Sequence, residues 1–280
     1  MIKTKNVKSR AGRALIFIAL SVLTVSFLYP LYFMLSNSFK SRPEYYTNPF
    51  NPPPGELHFE NYATMISQFK IFNLFKNSFI VSAISIILIL LLSIFASYAF
   101  AKLEFKGQKY VYLGIIMTIF VPAQVIMIPM YVMFSRVNLI NNYWSLILAY
   151  LAAFLPEAIL LMTSNFKGIP GEMIEASEMD GCNYFQIIGN VVIPMGKPAI
   201  FLTVIFYFIL MWNDLFMPMI LLQGMDVRTV MVALATLISR YTGDPPYQFA
   251  GLMLSTIPAL LVYVIFQRYI IKGMTVGAIK

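Results

Sequence analysis

Apolar residues fall into six runs, each longer than twenty residues, at 14–35, 78–101, 110–134, 143–163, 199–222 and 249–271. Charged residues, prolines and glycines collect between them. A helix needs about 20 residues to cross the hydrocarbon core of a bilayer, so each run is long enough to span. The pattern predicts an all-α polytopic membrane protein with six transmembrane helices. Pro122 and Pro129 in the third run and Pro218 in the fifth predict kinks. Residues 36–77 form a polar segment containing Asn51-Pro52-Pro53-Pro54-Gly55, too rich in proline for long helices in its first half. A surface helix is expected within 59–75. Residues 229–239 are apolar but too short to span, and predict a short helix at one end of the bundle. Gly243-Asp244-Pro245-Pro246 reads as the turn before the last span.

One polar segment, 169–198 between the fourth and fifth runs, reads as ordered helix. Pro170 suits a first helical position, and Glu172 complements the helix dipole in the first turn. Glu172, Glu175 and Glu178 recur every third residue and so share a side. Met173, Ile174 and Ala176 give a small apolar surface beside them. Gly181 is placed to end this helix in a left-handed conformation. Asn183 and Gln186 form a capping pair for a second helix, which carries Tyr184, Phe185, Ile187, Ile188, Val191 and Val192 and closes at Pro194. The expected product is two short helices around a glycine turn.

Composition agrees with the spans. Apolar residues are 59% and charged residues 11%, against roughly 45–50% and about 25% in soluble domains. The net charge of +8 is unevenly placed. Lys3, Lys5, Lys8, Arg10 and Arg13, then Lys102, Lys106 and Lys109, then Arg268, Lys272 and Lys280 make up 11 of the 20 basic residues. All fall on one side of the predicted bundle, so that side is expected to be cytoplasmic, with both termini inside. The first run is read as a retained helix, being too long for a signal peptide and lacking a small-residue cleavage site. The segment 169–198 then faces the cytoplasm, where its acids break the basic trend and suit either docking to a basic groove on a soluble partner or a solvated connector whose charges keep it out of lipid. Cys182 is the sole cysteine and His58 the sole histidine, which argues against a disulfide framework or a histidine metal cluster. Met195-Gly196-Lys197-Pro198 lacks the Ser or Thr and the earlier glycine of a phosphate loop.

Glu175-Ala176-Ser177, Gly181 four residues later, then Val191, Ile193 and Pro194, resemble the EAA loop of bacterial ABC importer permeases. Ser177 stands for the second alanine and Ile193 for the leucine of that pattern. Asp180-Gly181-Cys182, Trp212-Asn213-Asp214, Gln267-Arg268-Tyr269 and the ending from Lys272 to Lys280 resemble the carbohydrate-type branch, in particular the smaller permease subunit of maltose and glycerol-phosphate importers. The resemblance runs from the first span to the last residue.

It implies a permease half that is not itself an enzyme, binds no cofactor, and leaves ATP and Mg to a partner. The implied partners are a second permease subunit, an ABC ATPase dimer and an extracytoplasmic solute-binding protein, a lipoprotein in some systems. Membrane lipid surrounds the chain, and no nucleic acid is involved. The implied location is the bacterial cytoplasmic membrane. Glu175, Ala176, Ser177 and Gly181 would dock the coupling helix in the ATPase, with Glu175 meeting a basic side chain. Glu178 and Asp180 are read as solvated surface.

Glu157 and Asp214 are the acidic residues inside spans. Trp212, Asn213 and Asp214 are candidates for the translocation pathway or its gate, with interhelical packing as the competing role. The expected organisation is a basic tail at 1–13, one six-helix permease domain at 14–271 with its coupling loop at 169–198, and a tail at 272–280. The expected function is ATP-driven, alternating-access import of a sugar, oligosaccharide or polyol derivative. An ATP-independent transporter or channel is the alternative, disfavoured by the scarcity of intramembrane charge and the lack of a clear repeat.

Overall fold

A computed structural model describes residues 10–52, 55–240 and 244–277 of the chain. Lys3, Lys5, Lys8, Pro53, Pro54, Gly243 and the closing Ala278-Ile279-Lys280 named above lie outside them. The described residues are helical, with helices α1 (Arg10–Ser38), α2 (Arg42–Thr47), α3 (Glu60–Ser67), α4 (Ile71–Lys102), α5 (Gln108–Met117), α6 (Ala123–Arg136) and α7 (Tyr143–Lys167) in the first part. Then come α8 (Gly171–Met179), α9 (Tyr184–Ile187), α10 (Ile193–Asn213), α11 (Phe216–Leu221), α12 (Val230–Arg240) and α13 (Pro245–Gly277). Five helical stretches are long and apolar enough to cross a membrane: Gly12–Ser38, Ile71–Lys102, Tyr143–Lys167, Tyr184–Asn213 and Pro245–Gln267. A sixth span is available as the bent pair of α5 and α6. The protein is thus an all-α multi-pass membrane protein. The last helix runs to Gly277, past the expected boundary at 271.

The third and fifth spans are broken rather than kinked. Gln108–Phe120 and Ala123–Arg136 meet at 97°. Pro122 cannot donate to the Thr118 carbonyl, and the chain tightens into a 3₁₀ turn at Thr118–Phe120 before the corner. In the fifth span α10 stops at Asn213, and Asp214 takes an extended backbone (φ −70°, ψ 130°). Pro218, four residues on, has no N–H for the Asp214 carbonyl, so the ladder ends there.

The chain forms two compact units. One comprises the described residues up to Lys70 together with those within 237–254. In it α1 exposes an almost unbroken apolar surface from Leu15 to Leu35. Beyond α1, the buried Lys40 ammonium donates to Asn37 Oδ1 (2.9 Å) and to the carbonyls of Asn48 (2.9 Å) and Pro49 (3.1 Å). Burial lowers the Lys40 pKa, and the charge of Glu44 opposes that shift. Asn61 ties the same turn by donating to the carbonyls of Ser38 and Lys40. Ser41 and Glu44 form a capping box at the start of α2. The Ser41 N–H donates to Glu44 Oε2 (2.7 Å) and holds the Glu44 pKa below the usual carboxylate range.

The other unit comprises Ile71–Thr236 and the described residues from Ser255 onward. Its spine is the pair α4 and α7. Nothing in α4 breaks helix, since it holds no Gly or Pro. Its buried stripe includes Ser82, Ser85, Ser93 and Ser97, and α7 in turn buries Ser145, Ala149 and Ala158. Small side chains let the two backbones approach, which is how helices gain contact where lipid removes the hydrophobic drive. The Ser97 hydroxyl donates to the Ile159 carbonyl across the pair (3.1 Å).

At the end holding the start of α4 and of α7, two asparagines organise the connections. Asn141 is one of three described non-glycine residues with positive φ (61°), a conformation asparagine tolerates better than most. Its Oδ1 accepts from the N–H groups of Gln223 (2.7 Å) and Gly224 (2.8 Å). Asn77 donates to the carbonyls of Asp226 (2.8 Å) and Arg228 (2.9 Å), and its Oδ1 accepts from the Tyr143 hydroxyl (2.6 Å). The segment 223–228 is thereby laced to α4 and to the turn before α7.

Candidate functional site

The opposite end of α4 and α7 carries the polar segment singled out in the sequence. Pro170 is the residue before α8, one place earlier than expected, and α8 runs Gly171–Met179. Gly181 adopts φ +80°. A side chain there would be strained, so glycine makes the turn without cost. Asn183 Oδ1 accepts from the Gln186 N–H (3.0 Å) and Gln186 Oε1 accepts from the Asn183 N–H (2.8 Å), the expected reciprocal cap.

The second helix does not close at Pro194. It widens into a π-turn at Ile188–Val192 and continues as α10 into the membrane. Pro194 removes one N–H and crowds the carbonyl four residues back, and the wider turn just before it absorbs that defect. The turn after Gly181 is therefore joined directly to a spanning helix.

The hairpin is seated, not free. Ile174, Ile187, Ile188 and Val192 pack with Ile94 and Tyr98 of α4 and with Met162, Phe166 and Ile169 in one buried cluster. Lys102, the last residue of α4, donates its ammonium to the Ile169 carbonyl and pins the start of the segment. Gly196 lies against the Phe166 ring: a Cβ added there would sit 2.6 Å from Phe166 Cε1. Apolar burial of about four aliphatic side chains stabilises the seat by several kcal/mol.

The face turned away from this seat carries the residues singled out from sequence. Glu175, Ala176 and Gly181 are exposed, and Ser177 is half-buried. The Ser177 hydroxyl is committed within α8, donating to the Met173 carbonyl (2.9 Å). Glu172, Glu178 and Asp180 are also exposed. Beside them stand apolar side chains whose exposure the sequence did not reveal: Met179 at 88%, with Met173 and Tyr184, while Phe185, also exposed, meets the Phe95 ring of α4. Exposed large apolar groups next to acids on a rigid hairpin make a surface that can hold a complementary protein. Their apolar character was legible, but not which way they face.

The second group of candidates lies at the far end of α10. Trp212 is 2% exposed; its Nε1–H donates to the Ser255 carbonyl (3.0 Å) and its ring stacks on Phe208 and meets Phe75. It binds α10 to α13. Asn213 is exposed and donates to the Ile209 carbonyl of its own helix (2.8 Å). Asp214 Oδ2 accepts from the Tyr150 hydroxyl of α7 (3.0 Å), while Oδ1 accepts from the Phe216 N–H (3.0 Å) and starts α11. The three neighbours in sequence thus point to three different tasks. Tyr150, fully buried, is a partner that spacing could not reveal. Glu157 is half-buried within α7.

Known proteins match this arrangement along nearly its whole length. The chain is 33% identical over 264 residues to the putative ABC transporter permease protein ORF2 of Caldicellulosiruptor sp. (strain Rt8B.4), covering 94% of this chain and 96% of the relative. It is 28% identical over 274 residues to the arabinooligosaccharides transport system permease protein AraQ of Bacillus subtilis (strain 168), covering 97% and 96%. A solved chain of a bacterial ABC transporter involved in the import of the acidic polysaccharide alginate shares the fold, with TM-score 0.82, 23% identity, and coverage of 93% and 98%. Residues 89–276 match the model of one family, described as the binding-protein-dependent transport system inner membrane component. This stretch holds the seated hairpin, the broken fifth span and α13, and the chain belongs to that family of ABC transporter permeases.

Proposed function

We propose that this chain is one permease half of an ATP-driven importer that carries a sugar, an oligosaccharide or a related polyol derivative inward by alternating access. The observation that carries the reading is the hairpin of α8 and α9. It offers acids and exposed apolar side chains outward while its inner face is fixed to α4, α7 and α10. A force applied to the hairpin by a closing ATPase dimer is delivered to spanning helices rather than lost in a flexible loop.

In this reading the hairpin faces the cytoplasm, as do both termini. Glu175 makes a charge-assisted contact with a basic ATPase side chain, Ala176 and Ser177 permit close approach, and Gly181 sets the bend. ATP and Mg reside on the ATPase. The Asp214–Tyr150 contact and Asn213 sit at the outer end of α10, where a gate would lie, and the laced segment 223–228 lies at the end that receives solute from a binding protein. The sugar named for AraQ, and the polysaccharide named for the solved transporter, support a carbohydrate cargo.

The test is uptake of labelled oligosaccharide into proteoliposomes holding the assembled permease pair, ATPase and binding protein. Uptake should require hydrolysable ATP inside the binding-protein-free compartment. Uptake driven by the solute gradient alone, without ATP, would overturn the reading.

A further inference from the structure

A basic cavity of about 370 Å³ opens where α4 turns into α5. Three lysines from separate parts of the chain line it: Lys102 at the end of α4, Lys109 in the first turn of α5 and Lys167 at the end of α7. The only carboxylate in the lining is Glu104, which is exposed. None of the three ammonium groups forms an ion pair among the described residues. The walls are fixed. Gln108 Nε2 donates to the carbonyls of Phe100 (3.0 Å) and Leu103 (2.9 Å), closing the turn. Lys102 is held by the Ile169 carbonyl and Lys167 lies 5.7 Å from the centre of the Tyr112 ring.

Three lysines against one exposed carboxylate leave the cavity with an excess of positive charge, which favours a bound anion. The depth of the cavity narrows the class of anion. Lys102 and Lys167 are the last residues of two membrane-spanning helices, which places the cavity where hydrocarbon gives way to headgroups. Basic pockets between spanning helices at this depth suit lipid headgroups. The same α5 that supplies Lys109 and Tyr112 exposes Tyr110, Val111 and Leu113, an apolar surface on which an acyl chain can lie. A free phosphate would use the cations alone; a phospholipid uses both surfaces.

We propose that this cavity binds the phosphate diester headgroup of an anionic phospholipid. The lipid then sits beside Lys102, whose other contact is the first residue of the coupling segment, so the headgroup braces the root of the hairpin. The inner leaflet is its location under the orientation proposed above; binding itself does not depend on that orientation.

Native mass spectrometry of the full-length chain tests this, with phosphatidylglycerol as probe and phosphatidylcholine as reference. Neither ATP nor an ATPase enters the measurement, so its outcome is separate from that of the transport reading. The chain should prefer phosphatidylglycerol, and K109Q/K167Q should weaken its binding by about tenfold or more. K109R/K167R should restore it, which separates lost charge from lost folding. K106Q should retain it, because Lys106 is on the same turn but outside the cavity lining. Unchanged binding in K109Q/K167Q, an equal loss in K106Q, or displacement of the lipid by millimolar inorganic phosphate would each overturn the proposal.

Discussion

Ile174→Ala tests whether the hairpin is seated as described. Ile174 is the buried residue of α8, 7% exposed, and it enters the cluster formed by Ile94, Tyr98, Met162 and Phe166. Truncation to alanine removes three carbons from that contact, worth roughly 2–3 kcal/mol of transfer free energy. A cavity cost would add to this in a closed core, but α8 lies at the edge and can settle inward, so about 2 kcal/mol is expected. That amount raises the population of the detached hairpin roughly 30-fold. Hydrogen exchange of the α8 amides should speed up by a similar factor, while exchange in the middle of α4 stays unchanged. In the assembled transporter ATP hydrolysis should continue with less solute moved per ATP, because the handle yields before the helices do. Unchanged α8 exchange in Ile174→Ala would refute the seat and the mechanical reasoning built on it.

Other perturbations probe separate contacts. Gly196→Ala drives a Cβ into the Phe166 ring at 2.6 Å; overpacking of about 1–3 kcal/mol should outweigh the gain of about 1 kcal/mol in helix propensity, giving a lower Tm. A raised Tm would contradict that packing. Asn141→Ala keeps a left-handed backbone without its tolerant side chain and frees the N–H groups of Gln223 and Gly224; exchange at 223–228 should rise several-fold, reflecting about 1–2 kcal/mol. Glu44 has a depressed pKa, so its support of α2 is complete above the ordinary carboxylate range and is lost as pH falls through its folded pKa. Protection of the α2 amides, corrected for intrinsic rates, should fall over that interval, and Glu44→Gln should show the low protection already at neutral pH.

The parts of this fold written in local sequence were legible there. Long apolar runs gave the spans, Gly181 gave the left-handed turn, and Asn183 with Gln186 gave the cap of α9. What the sequence did not reveal depends on distant partners. Pro122 and Pro218 signalled weakness in the helix, but the depth of each break follows from whether neighbouring helices hold the freed backbone, which no local pattern records. Pro194 read as a terminator; in the structure a π-turn lets the helix pass through it. In the nine-residue α8, Ile174 and Met173 are both apolar, and only the presence of α4 and α7 on one side decides that the first is buried and the second exposed. Trp212, Asn213 and Asp214 are consecutive, but Trp212 and Asn213 point about 100° apart on the last turn of α10 and Asp214 lies past the helix end, so their partners lie on α13, on α10 itself and on α7. The two compact units were likewise not marked by any linker.

Charge reversal at Glu175 tests directly whether the hairpin is a handle for a separate ATPase. Glu175 is exposed and contributes nothing to the buried seat, so Glu175→Lys should leave the permease folded. Co-purification of the ATPase and ATP-driven uptake, measured on the same reconstituted assembly, should both fall about tenfold or more, as expected for loss and reversal of a charge-assisted contact. A Glu175→Lys assembly that keeps its ATPase and transports at the unaltered rate would contradict the account.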